Sequence, residues 1–116
     1  MDRRTARRLQ GLLAERNWAA AKRVLKAELK QAGDPHWYLT RLCWVAGCEG
    51  QGRRAVRYSE KALAAQPGCP IALWDHAGAL LLAGRSTAAY GVYRQLPKRD
   101  PHEYRSASVF GVSPVP

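Results

Sequence analysis

The chain has 116 residues and a hydrophobic content of 47%, which suits one soluble domain with a sizeable core. Nineteen Lys and Arg residues against nine Asp and Glu residues give a net charge of +10, which indicates either a well-solvated face or an acidic partner. No apolar run approaches the roughly 20 residues of a membrane span, and the first residues lack the features of a secretory signal. An odd number of cysteines without C-x-x-C spacing argues against a disulfide framework, so we expect a cytoplasmic protein.

The composition predicts helices throughout, because alanine, leucine, arginine and lysine dominate and strand patterns are nearly absent. Between the Gly- and Pro-bearing breaks we predict six helices in three antiparallel pairs, over 4–14, 18–31, 36–48, 53–65, 70–83 and 86–95. A short capping helix is predicted to begin after Asp100, with Pro101 in its first turn. The domain then covers 1–110, and 111–116 is predicted to be an extended or disordered tail.

The breaks and the helices share one period. Small or helix-breaking residues recur at one fixed interval, at Gly33, Pro67 and Pro101 and again at Ala21, Ala55 and Ala89. A two-helix unit that repeats every ~34 residues is typical of stacked helical hairpins. The predicted repeats are 2–35, 36–69 and 70–103.

The residues inside the repeats match a known pattern of large, small and aromatic positions. The central unit supplies Leu39, Leu42, Cys43, Ala46, Ala55, Ala62 and Pro67. The third unit supplies Leu73, Ala77, Leu80, Gly84, Ala89, Tyr93 and Pro101, and the first supplies Leu9, Leu12, Ala21 and Leu25. On these positions the chain resembles the tetratricopeptide repeat family. It departs from that pattern at Ser59, where an aromatic residue is expected, at His76, where leucine is, and at Leu96, where alanine is.

The resemblance implies an all-α fold: a right-handed superhelical solenoid of three helix-turn-helix repeats, closed by the short C-terminal capping helix. It also implies a concave groove that binds a protein segment or helix. The pentatricopeptide repeats, which bind RNA, are a similar family of helical hairpins. Their usual period is one residue longer, so the register of this chain and the proline after the second helix favour the tetratricopeptide interpretation.

The third predicted helix carries two apolar stripes. At about 100° per residue, Trp37, Arg41, Trp44 and Cys48 lie on one side, opposite the residues that the repeat pattern uses for packing. In the family it resembles, this stripe lines the groove, and large apolar surface facing water marks binding sites. The implied groove residues are Trp37, Thr40, Arg41, Trp44, Ile71, Trp74 and Asp75. The alternative is that the C-terminal tail or a second copy of the chain, in a homo-oligomer, covers them.

Cations concentrate on the second helices of the first two repeats. The predicted basic ridge consists of Lys22, Arg23, Lys26, Lys30, Arg53, Arg54, Arg57 and Lys61. It is interpreted either as a solvated face or as a surface that contacts phosphates. The tryptophans lie on the other side of the unit, which weakens the case for stacking on single-stranded RNA.

No catalytic or metal-binding pattern accompanies these surfaces. The Cys and His spacings match no zinc site, and the sequence has no nucleophile elbow, phosphate-binding loop or zinc-hydrolase motif. His76 is expected to be a hydrogen-bonded interior histidine. We therefore expect no cofactor, no metal and no catalysis, and predict a non-enzymatic adaptor or scaffold for a protein partner. The alternative is a basic helical-repeat module that binds RNA or another polyanion.

Overall fold

A computed structural model describes residues 1–96 as helices joined by short turns. In chain order the helices are α1 (Arg3–Ala14), α2 (Trp18–Leu29), α3 (His36–Cys48), α4 (Gly52–Ala65), α5 (Pro70–Leu82) and α6 (Ser86–Tyr93). Each boundary lies within two residues of its predicted position, and no strand occurs between residues 1 and 96. The all-α class is therefore confirmed, while the predicted capping helix and tail lie outside the described residues.

The turn inside each helical pair has the same backbone geometry three times. Arg16, Gly50 and Gly84 occupy equivalent positions of the three predicted repeats and have φ values of 57°, 73° and 81°. The next residue along the chain donates its N–H five residues back in every case, at 2.8 to 2.9 Å. In this type of helix end, one residue takes the left-handed backbone conformation that glycine favours. The first turn has Arg16 in place of glycine, and the Asn17 side chain caps the following helix through the Ala20 N–H. The period of the sequence is thus present in the backbone as well.

Helices contact one another in chain order, and α3 also contacts α5. One apolar cluster joins α1, α2 and α3 through Leu9, Ala21, Leu25, Leu42 and Val45. A larger cluster joins α3 to α6 and includes Ala55, Leu73, Trp74, Leu80 and Tyr93. Leu42 and Leu80 are 0% and 3% exposed, as expected for the packing stripe. In the described part of the chain, no helix is both long and apolar enough to span a membrane.

Two departures from the repeat pattern compensate for each other across the contact between α4 and α5. The Ser59 hydroxyl lies 2.7 Å from Nδ1 of His76, and it donates to the Val56 carbonyl at 2.8 Å. A serine hydroxyl has one proton and can also accept, so both hydrogen bonds form together in the tautomer that has its proton on Nδ1. Burial lowers the pKa of His76, although Glu60 raises it, and this favours the neutral ring. His76 is therefore the hydrogen-bonded histidine predicted from its position.

Candidate functional site

The outward stripe of α3 begins with an exposed tryptophan. The Trp37 side chain is 47% exposed, whereas Leu39, Leu42 and Val45 of the same helix are buried. The Arg41 guanidinium carbon lies 5.9 Å from the centre of the Trp37 ring, and Tyr38 meets that ring edge-on at 5.2 Å. The Thr40 hydroxyl donates to the Trp37 carbonyl at 2.7 Å. Trp37 is thus held by its neighbours and still presents almost half of its surface to solvent.

The same stripe ends in a cleft between the first and second repeats. Trp44 meets Trp18 edge-on, with ring centres 5.9 Å apart and planes at 83°. The cleft has a volume of about 380 Å³, and its lining consists of Leu13, Ala14, Arg16, Trp18, Trp44 and Cys48. Burial raises the pKa of the Cys48 thiol, and the nearby positive charge of Arg16 partly offsets that rise. An aromatic wall beside one cation suits an apolar group that is accompanied by a negative charge.

Fewer of the predicted groove residues are exposed than the sequence led us to expect. Trp74 and Asp75 are each 1% exposed and Thr40 is 6% exposed, so the exposure expected for these three groove residues is corrected. The reason is that α5 is apolar on most sides and buries eight residues, with Tyr93 of α6 packed against Trp74 at 5.6 Å. Ile71, which occupies in the third repeat the position that Trp37 has in the second, is 42% exposed.

The structure also adds residues that the sequence did not reveal. Trp18 packs against the apolar cluster of α1, α2 and α3 and also forms a wall of the cleft. Arg16 lies in the turn of the first repeat, which lacks the glycine found in the other two turns. Both residues come from the first repeat and line the cleft together with Trp44 from the second, so the packing of the two repeats brings them together. We call Trp37, Arg41, Trp44 and Cys48 the α3 stripe from here on.

The predicted basic ridge is almost entirely exposed. Seven of its eight residues face solvent, and the exception is Lys22. The Lys22 ammonium lies 3.0 Å from a Glu49 carboxylate oxygen, which ties α2 to the end of α3. Lys22 is therefore occupied in a contact between helices and does not belong to the free ridge.

Three adjoining depressions cross the face that carries the ridge, and all three share Arg57. Their volumes are about 450, 210 and 460 Å³. The cations that line them are Lys26, Arg53, Arg54, Arg57, Lys61 and Arg85. Glu60 is the one carboxylate in the lining, and it lines the same depression as Arg85. We call these three adjoining depressions together the basic furrow.

The thiol and carboxylate groups of the described chain do not converge. Among residues 1–96, no three His, Cys, Asp or Glu side chains are grouped so as to hold a metal ion. Cys43 is fully buried, and this burial strongly raises the pKa of its thiol, which keeps it protonated. Its position is that of a small core residue.

Comparisons with known proteins found no relative of this chain. No protein-family model matches it, and searches of the curated proteins and of the solved structures also found no match. The chain has two candidate binding surfaces. One is the α3 stripe with its cleft, and the other is the basic furrow. They share no lining residue.

Proposed function

We propose that the chain is a non-enzymatic adaptor that binds a segment of a partner protein along the α3 stripe. In this proposal the three helical pairs form a tetratricopeptide-like right-handed solenoid, and the stripe belongs to its concave side. The turn that recurs at Arg16, Gly50 and Gly84 supports the repeat, because the same backbone bonds return in each helical pair. The sequence resemblance supports the placement of the stripe in a groove.

The main support for the proposal is the exposure of Trp37 at the head of the α3 stripe, whose other three residues are partly exposed. A tryptophan that keeps 47% of its surface in water leaves apolar area that a partner can bury. Tryptophan and arginine dominate the energetics of protein interfaces. Arg41 already lies against the Trp37 ring at 5.9 Å, so little side-chain freedom remains to be lost on binding.

The spacing of the stripe defines what the partner must look like. Trp37 and Trp44 are seven residues apart, which corresponds to about 10.5 Å along a helix axis. Two apolar anchors of a helical partner meet this spacing at positions i and i+7, and those of an extended partner meet it about three residues apart. Arg41 lies between the tryptophans, and Arg16 lies at the cleft. An acidic residue between or just beyond the anchors would complement both charges.

The test is capture of proteins from a nuclease-treated lysate of the source cell by the immobilised chain. Trp37→Ala should lose the captured protein, because removing an interface tryptophan commonly costs about 2 kcal/mol of binding or more. Tyr90→Ala is the matched control, since Tyr90 is 49% exposed on α6, away from the stripe. Unchanged helical circular dichroism shows that both variants fold. Equal capture by Trp37→Ala and the wild type would contradict the proposal.

A further inference from the structure

The basic furrow has a composition that the adaptor function does not use. Its six cations come from α2, from α4 and from the turn before α6, so the furrow crosses both boundaries between repeats. Across residues 1–96 the one ion pair joins Lys22 to Glu49, and it involves none of these six. With six cations and one carboxylate, Glu60, the lining has a large excess of positive charge, which concentrates anions.

The shape and the side chains indicate the chemical class of the ligand. Arg57 lines all three depressions, and Arg53 and Arg54 each line two, so the depressions adjoin one another and together suit a linear ligand. Four of the six cations are arginines, whose planar guanidinium groups bind phosphate oxygens in pairs. From these observations we infer that the furrow binds a linear chain of phosphate groups, either a single-stranded nucleic acid backbone or inorganic polyphosphate.

The furrow lacks the residues that would read bases. Tyr58 is the one aromatic residue in its lining, and it is partly buried. Stacking of successive bases needs several exposed aromatic rings, and the exposed tryptophan of this chain lies on the α3 stripe instead. Binding therefore depends on the phosphates and is indifferent to base identity.

The decisive experiment measures fluorescence anisotropy of labelled oligo(U) and oligo(A) over a series of salt concentrations, with inorganic polyphosphate as competitor. The furrow variant carries Arg54→Gln, Arg57→Gln and Lys61→Gln. The matched control carries Arg4→Gln, Arg7→Gln and Arg8→Gln, which removes three exposed positive charges from α1 and leaves the furrow intact. The two variants have the same net charge.

We expect the furrow variant to bind oligo(U) at least about tenfold more weakly near physiological salt, with the control reduced about threefold or less. Each phosphate contact adds about −0.7 to the slope of log affinity against log salt for single strands, so the loss of three contacts flattens the slope by about 2. Oligo(A) should bind as oligo(U) does. If polyphosphate displaces the oligonucleotides, the furrow is a site for phosphate chains in general. If the oligonucleotides bind and polyphosphate does not displace them, the furrow is a site for nucleic acid.

Two results would overturn the inference. Equal weakening in the furrow and control variants would mean that net charge alone attracts the ligand, and failure of the wild type to bind either probe would remove the site. Trp37→Ala should leave this binding unchanged, because Trp37 lines no part of the furrow. The furrow and the adaptor proposal therefore succeed or fail separately.

Discussion

The first and third helical pairs share the same predicted two-helix repeat, but they bury very different numbers of residues. Leu9 is the one buried residue of α1, whereas α5 buries eight residues. Tryptophans lie at both places: Trp18 and Trp44 meet at an open cleft, and Trp74 meets Tyr93 in a closed core. An edge-on aromatic contact thus lies beside a cleft where the first pair meets the second, and in the core within the third pair.

The difference follows from how many sides of each helix are apolar. The sequence of α1, RRTARRLQGLLA, is apolar on one side and charged on the others, so it packs through a single stripe. The sequence of α5, PIALWDHAGALLL, is apolar nearly all round and is covered on several sides. Open clefts with large aromatic walls therefore form where a one-sided helix leaves its neighbour partly uncovered. In this chain that place is the junction of the first and second repeats.

The largest expected effect separates the buried tryptophan from the exposed one. Trp74→Ala should lower the free energy of unfolding by about 3–5 kcal/mol, since it removes a 1% exposed indole from the main core. Trp37→Ala should change it by less than about 0.5 kcal/mol, the range for most surface substitutions. Urea denaturation of the two variants measures both values. Similar losses of stability would show that the two tryptophans are not in contrasting environments.

The next effect tests how closely the second and third repeats pack. A Cβ atom added at Gly52 would lie 2.7 Å from the Ala83 backbone nitrogen, so Gly52→Ala should destabilise the chain by about 1–3 kcal/mol through overpacking. Gly91→Ala on α6 is the control, because a Cβ there meets nothing within 4 Å. That control should be neutral or stabilising by up to about 1 kcal/mol, since alanine favours helix over glycine. Thermal melts of both variants measure these effects. A Gly52→Ala variant as stable as Gly91→Ala would contradict the close contact between Gly52 and Ala83.

A smaller effect depends on pH at the contact between α4 and α5. The pKa of His76 lies below its ordinary value of 6.5 in the folded chain because the ring is buried. Well above pH 6.5, His76 is neutral in both the folded and the unfolded chain. As the pH falls through 6.5, His76 of the unfolded chain binds a proton before His76 of the folded chain does. The free energy of unfolding should therefore decline with falling pH until folded His76 is protonated as well.

The control for this pH effect is His76→Asn, which keeps a hydrogen-bonding side chain near Ser59 and removes the titrating ring. Urea denaturation between pH 8 and pH 5 should show the stability of the wild type falling more steeply than that of the variant. Parallel pH profiles would mean that His76 does not contribute to the dependence.

Much of the fold could be predicted because its signals are local. The helix boundaries follow from breaks at a fixed period, and the two stripes of α3 follow from the spacing of Trp37 and Trp44 against Leu39 and Leu42. The burial of Trp74 could not be predicted in this way. A helix that is apolar nearly all round has no preferred face in its own sequence, so its neighbours decide which side chains are covered.

The missed parts of the candidate sites are those that form between repeats. Trp18 reaches Trp44 across a repeat boundary, and Arg85 joins Arg57 in the basic furrow from the turn before α6. In the sequence, Ser59 and His76 are two separate departures from the pattern, and only their contact at 2.7 Å joins them. Such contacts depend on how the repeats pack, and the spacing within one repeat contains no signal for them.

The most direct test of the central claim is selection of ligands from a random peptide library on the wild-type chain, followed by titration calorimetry. The α3 stripe predicts peptides with two apolar anchors at i and i+7, or about three residues apart if extended, and with acidic residues beside them. These peptides should bind Tyr90→Ala as they bind the wild type, and bind Trp37→Ala at least about tenfold more weakly, which corresponds to about 1.4 kcal/mol. Selected peptides that lack the paired anchors and bind Trp37→Ala with unchanged affinity would contradict the account.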